Sequence, residues 1–289
     1  MTSPLTLGFL DDGWEYYRDK KLYDLSRDAI SPYFSFATTQ GDPGTTVLIG
    51  LRLTALIVVD MQNYFLHPRC NDYPEGREAA ERTAEVVGRA RRLGIQIIFL
   101  NWGLTEFDLG TMPPAVHRSF SSQLINPKED GKMPEGIGQT RRGLGSDMGS
   151  DRGGLLMANS WNTELYEPLL NAADGSQDIY CHKNRMSGLW TDNTSLSKAL
   201  KDEFTTLLFA GVNTDQCVLG TLVDAYNRGY DCVMLEDCCA TKTPGGKEVT
   251  AQNVSRCYGF VTDSESFFGG IELDSDDDKQ AYLGSQEEP

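Results

Sequence analysis

The chain has 289 residues, 39% of them hydrophobic and 10% aromatic, enough for one large domain or for a domain with extensions. Its formal net charge is −16 and its pI about 4.6, which argues against the basic surfaces that nucleic acids and anionic membranes require. Seven cysteines at irregular spacings, several inside apolar runs, argue for a reduced, cytoplasmic chain rather than a disulfide framework.

The opening MTSPLTLGFLDDGWEYY lacks a basic stretch followed by an apolar one, so no signal peptide is expected. No window reaches the ~18 consecutive apolar residues of a membrane span. Residues 1–44 have weak periodicity and read as an N-terminal extension. Its aromatic residues Trp14, Tyr16, Tyr17, Tyr33, Phe34 and Phe36 are expected to pack on the body or on a neighbouring subunit. The body is expected over 45–270, after the turn chemistry of GDPGTT at 41–46.

TALIVVD at 54–60 is a continuous apolar run, the pattern of a strand covered on both faces of a parallel sheet. Residues 76–93 place Ala80, Ala84, Val87 and Ala90 at helical spacing, and Gly94 closes the helix. IQIIFL at 95–100 is the next buried strand, completing a βαβ unit. Residues 101–160 break this rhythm with scattered glycine, proline and charge, and read as an insert bordering the site. The rhythm returns with a strand at 178–183, a helix at 193–202, a strand at 205–211 and a helix at 215–229. A strand at 231–237, a helix at 245–259 and a last strand at 260–266 follow. The acidic stretch 271–289 reads as a flexible, solvated tail. The alternation predicts an α/β fold: a doubly wound, mostly parallel sheet with helices on both faces, a Rossmann-like three-layer sandwich.

In such a sheet, ligands bind beyond the carboxyl ends of the strands. Three reactive side chains end up there: Asp60 after the first strand, Lys183 at the end of 178–183, and Cys217 at the helix start after 205–211. Taken singly, each has an ordinary structural explanation: a turn carboxylate, a solvated lysine, a small buried thiol. Together they suit nucleophilic catalysis. A helix start and a nearby ammonium lower a thiol's pKa, and a carboxylate accepts its proton and returns it to a leaving amine.

The segments ALIVVDMQNYF, HKNRMSGLW and GVNTDQCVLGTLVDAYNRGYDCVMLEDCCAT resemble, in this order, the signature segments of the isochorismatase-like cysteine hydrolases. The resemblance covers roughly 54–265. It implies a catalytic triad of Asp60, Lys183 and Cys217, with Asp60 as acid/base and Cys217 as nucleophile. It also implies a cis peptide between Val212 and Asn213, and an oxyanion hole built from the backbone N–H groups of Asn213 and Cys217. A homodimer or homotetramer is implied as well.

The resemblance departs at the metal site of the family's nicotinamidases, which carry histidines near the first carboxylate. Here Gln62 and Asn63 stand after Met61, and the chain has only His67, His117 and His182, so no metal and no cofactor are expected. Hydrolysis of a small-molecule amide or ureide C–N bond is favoured over isochorismate vinyl-ether cleavage, which does not need the thiol; a non-catalytic scaffold is the third reading. Gln62, Phe65, Trp102, Arg185 and Trp190 are the substrate-binding candidates, with support of Asp60 or the sheet by hydrogen bonding as the other reading of Gln62. Arg185 suits a carboxylate, and the aromatic rings suit a flat group. Asp237 ends another strand and reads as a structural anchor.

Overall fold

The computed structural model describes residues 3–9, 12–27, 29–121, 143–149 and 151–285. Six strands form the central sheet: β6 Thr54–Val59, β7 Gln96–Trp102, β8 Ile179–Lys183, β9 Thr206–Val212, β10 Asp231–Ala240 and β11 Phe260–Thr262. They pair in the order β11-β10-β9-β6-β7-β8, all parallel. Every residue of β6 and β9 is buried, which is why these strands read as unbroken apolar runs rather than alternating ones.

Helix Pro74–Arg92 covers one face with Ala79, Ala80, Val86, Val87 and Ala90. It starts two residues before the expected 76 because a proline is favourable in a helix's first turn. The other face is covered by helices Ser195–Leu200, Leu219–Asn227 and Gly246–Asn253. The sheet is therefore doubly wound.

Two expected elements differ. The last strand ends at Thr262, and Ser264–Phe268 is a helix, because the Asp263 side chain accepts from the Ser266 N–H and caps it. The helix expected from 215 begins with one π-wound turn, Thr214–Val218, before the α-helix Leu219–Asn227.

The N-terminal residues build a second sheet, and their aromatic residues Trp14, Phe34 and Phe36 pack on the body as expected. The strands of this sheet are β1 Leu5–Leu7, β2 Trp14–Tyr17, β3 Leu22–Asp24, β4 Tyr33–Ala37 and β5 Thr46–Gly50, joined by β12 Ile271–Leu273. Their order is β1-β2-β3-β5-β4-β12, of mixed direction. Phe34, Phe36, Val47 and Ile49 join the same core as Leu56, Val58 and Leu208 of the central sheet. The boundary expected at residue 44 thus falls inside a sheet that needs β5 for its hydrogen bonds.

The acidic tail is folded across its described part, against the expected flexibility. β12 pairs antiparallel with β4, and helix Asp276–Gly284 follows. Ser275 caps that helix, and the three aspartates of its first turn lie at the positive end of the helix dipole. Of the insert expected over 101–160, helices Glu106–Thr111 and Pro114–Ser119 are described, while 122–142 and 150 lie outside the described residues. Among the described residues, no helix is long and apolar enough to cross a membrane.

Candidate active site

Asp60 sits one residue past β6 with φ +53°, in the left-handed region that a non-glycine residue rarely occupies. The Gln62 N–H donates to the Asp60 carbonyl at 2.8 Å, turning the chain sharply and leaving the carboxylate at the strand end. Its Oδ1 accepts from the Trp102 N–H at 3.2 Å. Lys183 ends β8, two strands away across β7. Its ammonium stands 2.9 Å from Asp60 Oδ2 and 3.4 Å from the Cys217 sulfur, and 4.0 Å from the centre of the Trp102 ring.

Cys217 enters through a different device. At the end of β9, Gly211 pairs with Val59; a side chain at 211 would stand 2.2 Å from the Val59 carbonyl oxygen. The absence of a Cβ lets β9 approach β6, and the chain then passes the cis peptide Val212–Asn213 into the π-wound turn that carries Cys217. The Cys217 sulfur accepts from the Lys183 ammonium, and its S–H is directed at the Met186 Sδ 3.3 Å away. The three groups are sealed from water: Asp60 is 0% exposed, Lys183 3% and Cys217 5%.

Burial governs the protonation of both acids. Desolvation is the largest influence on Asp60 and raises its pKa, against the charge of Lys183 and the hydrogen bonds from Lys183 and Trp102. Desolvation also pushes the Cys217 thiol up, to about 12, and the charge of Asp60 adds to it. The expectation of a lowered thiol pKa is therefore corrected: burial and the carboxylate outweigh the ammonium. A thiol pushed up to about 12 keeps its proton at neutral pH.

The other candidates divide. Gln62 is fully buried and spent on backbone: it accepts from the Trp102 N–H and donates to the carbonyls of Trp102 and Thr163. It ties β7 to residue 163 and has no free group for a substrate, so it is a structural residue. Trp102 lines the site as a buried ring beneath the Lys183 ammonium; its indole N–H makes no hydrogen bond within ordinary limits. Phe65 is partly buried between both core clusters and stacks edge-on to Tyr64. Arg185 and Trp190 are brought together, the guanidinium 4.9 Å from the ring centroid.

Three contacts escaped the sequence reading. Asn184 receives the Trp190 indole N–H and donates to Asp108 at 2.6 Å, linking the loop after β8 to helix Glu106–Thr111. Met186 lies against Cys217. Gly211 was visible as a glycine inside an apolar strand, a signal of close backbone approach. Among the described residues, no group of three histidine, cysteine or carboxylate side chains is placed to hold a metal.

The Isochorismatase domain matches residues 54–266, which contain all of these groups. The chain belongs to the isochorismatase family. It is 30% identical over 225 residues to a protein named ureidoacrylate amidohydrolase RutB from Acinetobacter baylyi, covering 74% of this chain and 82% of that one. A protein of the same name from Methylorubrum extorquens is 28% identical over 232 residues, covering 76% and 84%. Among solved structures, a cysteine hydrolase from Pseudomonas syringae superposes with a TM-score of 0.59 at 20% identity, over 76% of this chain and 93% of that one. N-carbamoylsarcosine amidase from Thermoplasma acidophilum gives 0.51 at 23% identity, over 73% and 96%. These two likenesses show the isochorismatase-like fold.

Proposed function

We propose that this isochorismatase-family protein is a cysteine-dependent hydrolase of small-molecule amide or ureide C–N bonds, with Asp60, Lys183 and Cys217 as its triad. The observation that carries this reading is one ammonium 2.9 Å from a buried carboxylate and 3.4 Å from a buried thiol. The C–N hydrolysis of the relatives named ureidoacrylate amidohydrolase supports it.

As the Cys217 sulfur attacks the substrate carbonyl, its proton passes to Asp60. The C–S bond forms, and the carbonyl electrons move onto oxygen. The backbone N–H groups of Asn213 and Cys217 hold that oxyanion at the start of the helix. The intermediate collapses, the C–N bond breaks, and Asp60 gives its proton to the leaving nitrogen. Water then attacks the thioester while Asp60 takes its proton. The C–S bond breaks and the thiol regains its proton from Asp60. Lys183, in reach of both groups, offsets whichever partner is negative. A thiol held as neutral in the resting site fits this cycle, because no unsolvated thiolate has to be stored. Arg185, steadied on Trp190, serves as the anchor for a substrate carboxylate.

The test is ammonia release from a panel of amides and ureides by the wild type and by Cys217→Ser, with thermal melting of both. The variant is expected to melt as the wild type does and to lose most turnover. Ammonia release by Cys217→Ser at the wild-type rate would overturn the cysteine mechanism; pyruvate release from isochorismate by both proteins, with no amide or ureide turned over, would favour vinyl-ether cleavage, in which the carboxylate alone protonates the substrate.

A further inference from the structure

The nucleophile has a second sulfur beside it. The Cys217 thiol donates to the Met186 Sδ at 3.3 Å. The Lys183 ammonium donates to the Arg185 carbonyl at 3.2 Å, holding the backbone just before Met186. Across from it, Gly220 of helix Leu219–Asn227 leaves Met186 room: a Cβ there would be in ordinary contact, 3.5 Å from Met186 Cγ. Met186 is only partly buried, although its sulfur touches the buried thiol. A thioether has no proton to donate and is a weak acceptor. Its unbranched chain offers an adaptable apolar surface.

We infer that Met186 is the specificity-determining residue of this site: its thioether is the wall against which the acyl substituent packs while its carbonyl carbon is bonded to Cys217. The site accordingly favours amides whose acyl carbon carries a compact apolar or unsaturated group. It disfavours acyl groups that turn N–H or O–H donors toward Met186, since those donors leave water for a surface that barely accepts them. The terminal NH₂ of a carbamoyl group is such a donor. This preference rests on Cys217 being the nucleophile, and it narrows the substrate class toward carboxamides.

Two measurements test it. The first needs no turnover: alkylation of Cys217 by iodoacetamide and by N-benzyl iodoacetamide at mildly alkaline pH, followed by peptide mass mapping. Met186→Ala is expected to raise the benzyl-to-parent rate ratio about tenfold, the scale of discrimination that side-chain volume gives in an apolar pocket. Met186→Leu, which keeps the volume, holds the ratio within about twofold. An unchanged ratio in Met186→Ala overturns the wall. The second compares kcat/KM for a short aliphatic amide and the matching N-alkyl urea. Met186→Gln, which adds an acceptor at similar size, is expected to shift the ratio toward the urea, and an unmoved ratio overturns the preference. Unimpaired turnover in Cys217→Ser would count against the hydrolytic mechanism, while the alkylation ratio would still report on Met186.

Discussion

A thiol at the start of a helix, with a lysine beside it, is acidified when water reaches it, and residue type alone leads to that expectation for Cys217. What residue type does not reveal is depth. With Asp60, Lys183 and Cys217 all at 5% exposure or less, desolvation outweighs the favourable charge, and both acids hold their protons more tightly than in water. The meeting of Asp60, Lys183 and Cys217 was legible because three strand ends carried three reactive side chains; their protonation depends on packing from β6, β7, β8 and β9 together. Of the two readings of Gln62, the hydrogen bonds favour support of the sheet over substrate binding; residue type could not decide between them, since its three backbone partners lie 40 and 101 residues away. The raised pKa of Asp60 sets the sign of the pH dependence. Asp60 has to be ionised to accept the thiol proton, so the acid limb of kcat/KM is expected above the ordinary carboxylate value of 3.8. The Lys183 charge lowers that pKa, so Lys183→Met is expected to move the limb to still higher pH. Asp60→Asn is expected to cost ~10²–10⁴-fold in turnover, the usual yield of a positioned acid/base. Each is read from steady-state rates across pH; a limb at or below 3.8, or Asp60→Asn within a few-fold of wild type, would leave Asp60 a structural strand-end residue.

The elements of the central sheet were readable because each is covered on both faces and is therefore apolar throughout. The tail was not, because its ordering comes from a partner some 250 positions earlier in the chain, and locally ELDSDDDKQ looks solvated. Helix Asp276–Gly284 docks through Lys279, whose ammonium lies 2.9 Å from Asp24 and 2.6 Å from the Ser26 hydroxyl, with the Tyr33 ring beneath it. The side chains of Lys279 and Asp24 are 12% and 6% exposed, so this is a largely desolvated pair. Removing one partner of such a pair leaves the other charge buried and costs about 3–5 kcal/mol, far more than the pair itself contributes. Lys279→Ala is therefore expected to lower the unfolding free energy by that order in a urea titration and to open 271–285 to protease. A loss under about 0.5 kcal/mol, the ordinary range for an exposed surface substitution, would mean the helix is not anchored there.

At the scale of the whole molecule the question is what joins the N-terminal sheet to the hydrolase body. Shared apolar core supplies most of the attraction, but Asp231 at the start of β10 adds a specific joint. It is 2% exposed, and it accepts from Arg27 and from the Trp14 indole N–H, both of the N-terminal segment. Trp14 was expected to pack on the body, but the ion pair was not legible in advance, because Arg27 and Asp231 lie 204 positions apart and neither belongs to a motif. Burial raises the Asp231 pKa more than Arg27 and Trp14 lower it. The sign follows from linkage: the fold holds this proton more tightly than the unfolded chain does, so the penalty of the buried charge is absent below the unfolded pKa, grows as pH rises toward the folded one, and is full above it. Arg27→Ala removes the counter-charge and raises the folded pKa further. Its stability deficit is expected to be about 3–5 kcal/mol at neutral pH and to shrink on acidification toward the ordinary carboxylate range. Asp231→Asn in the Arg27→Ala background removes the stranded charge and keeps an acceptor for Trp14, so the double variant is expected to be more stable than Arg27→Ala alone at pH 7. The cycle of four proteins, measured by urea titration at neutral and acidic pH, isolates the coupling. Equal deficits at both pH values, or a double variant weaker than Arg27→Ala, would show that Arg27 joins the two sheets by packing and not by charge.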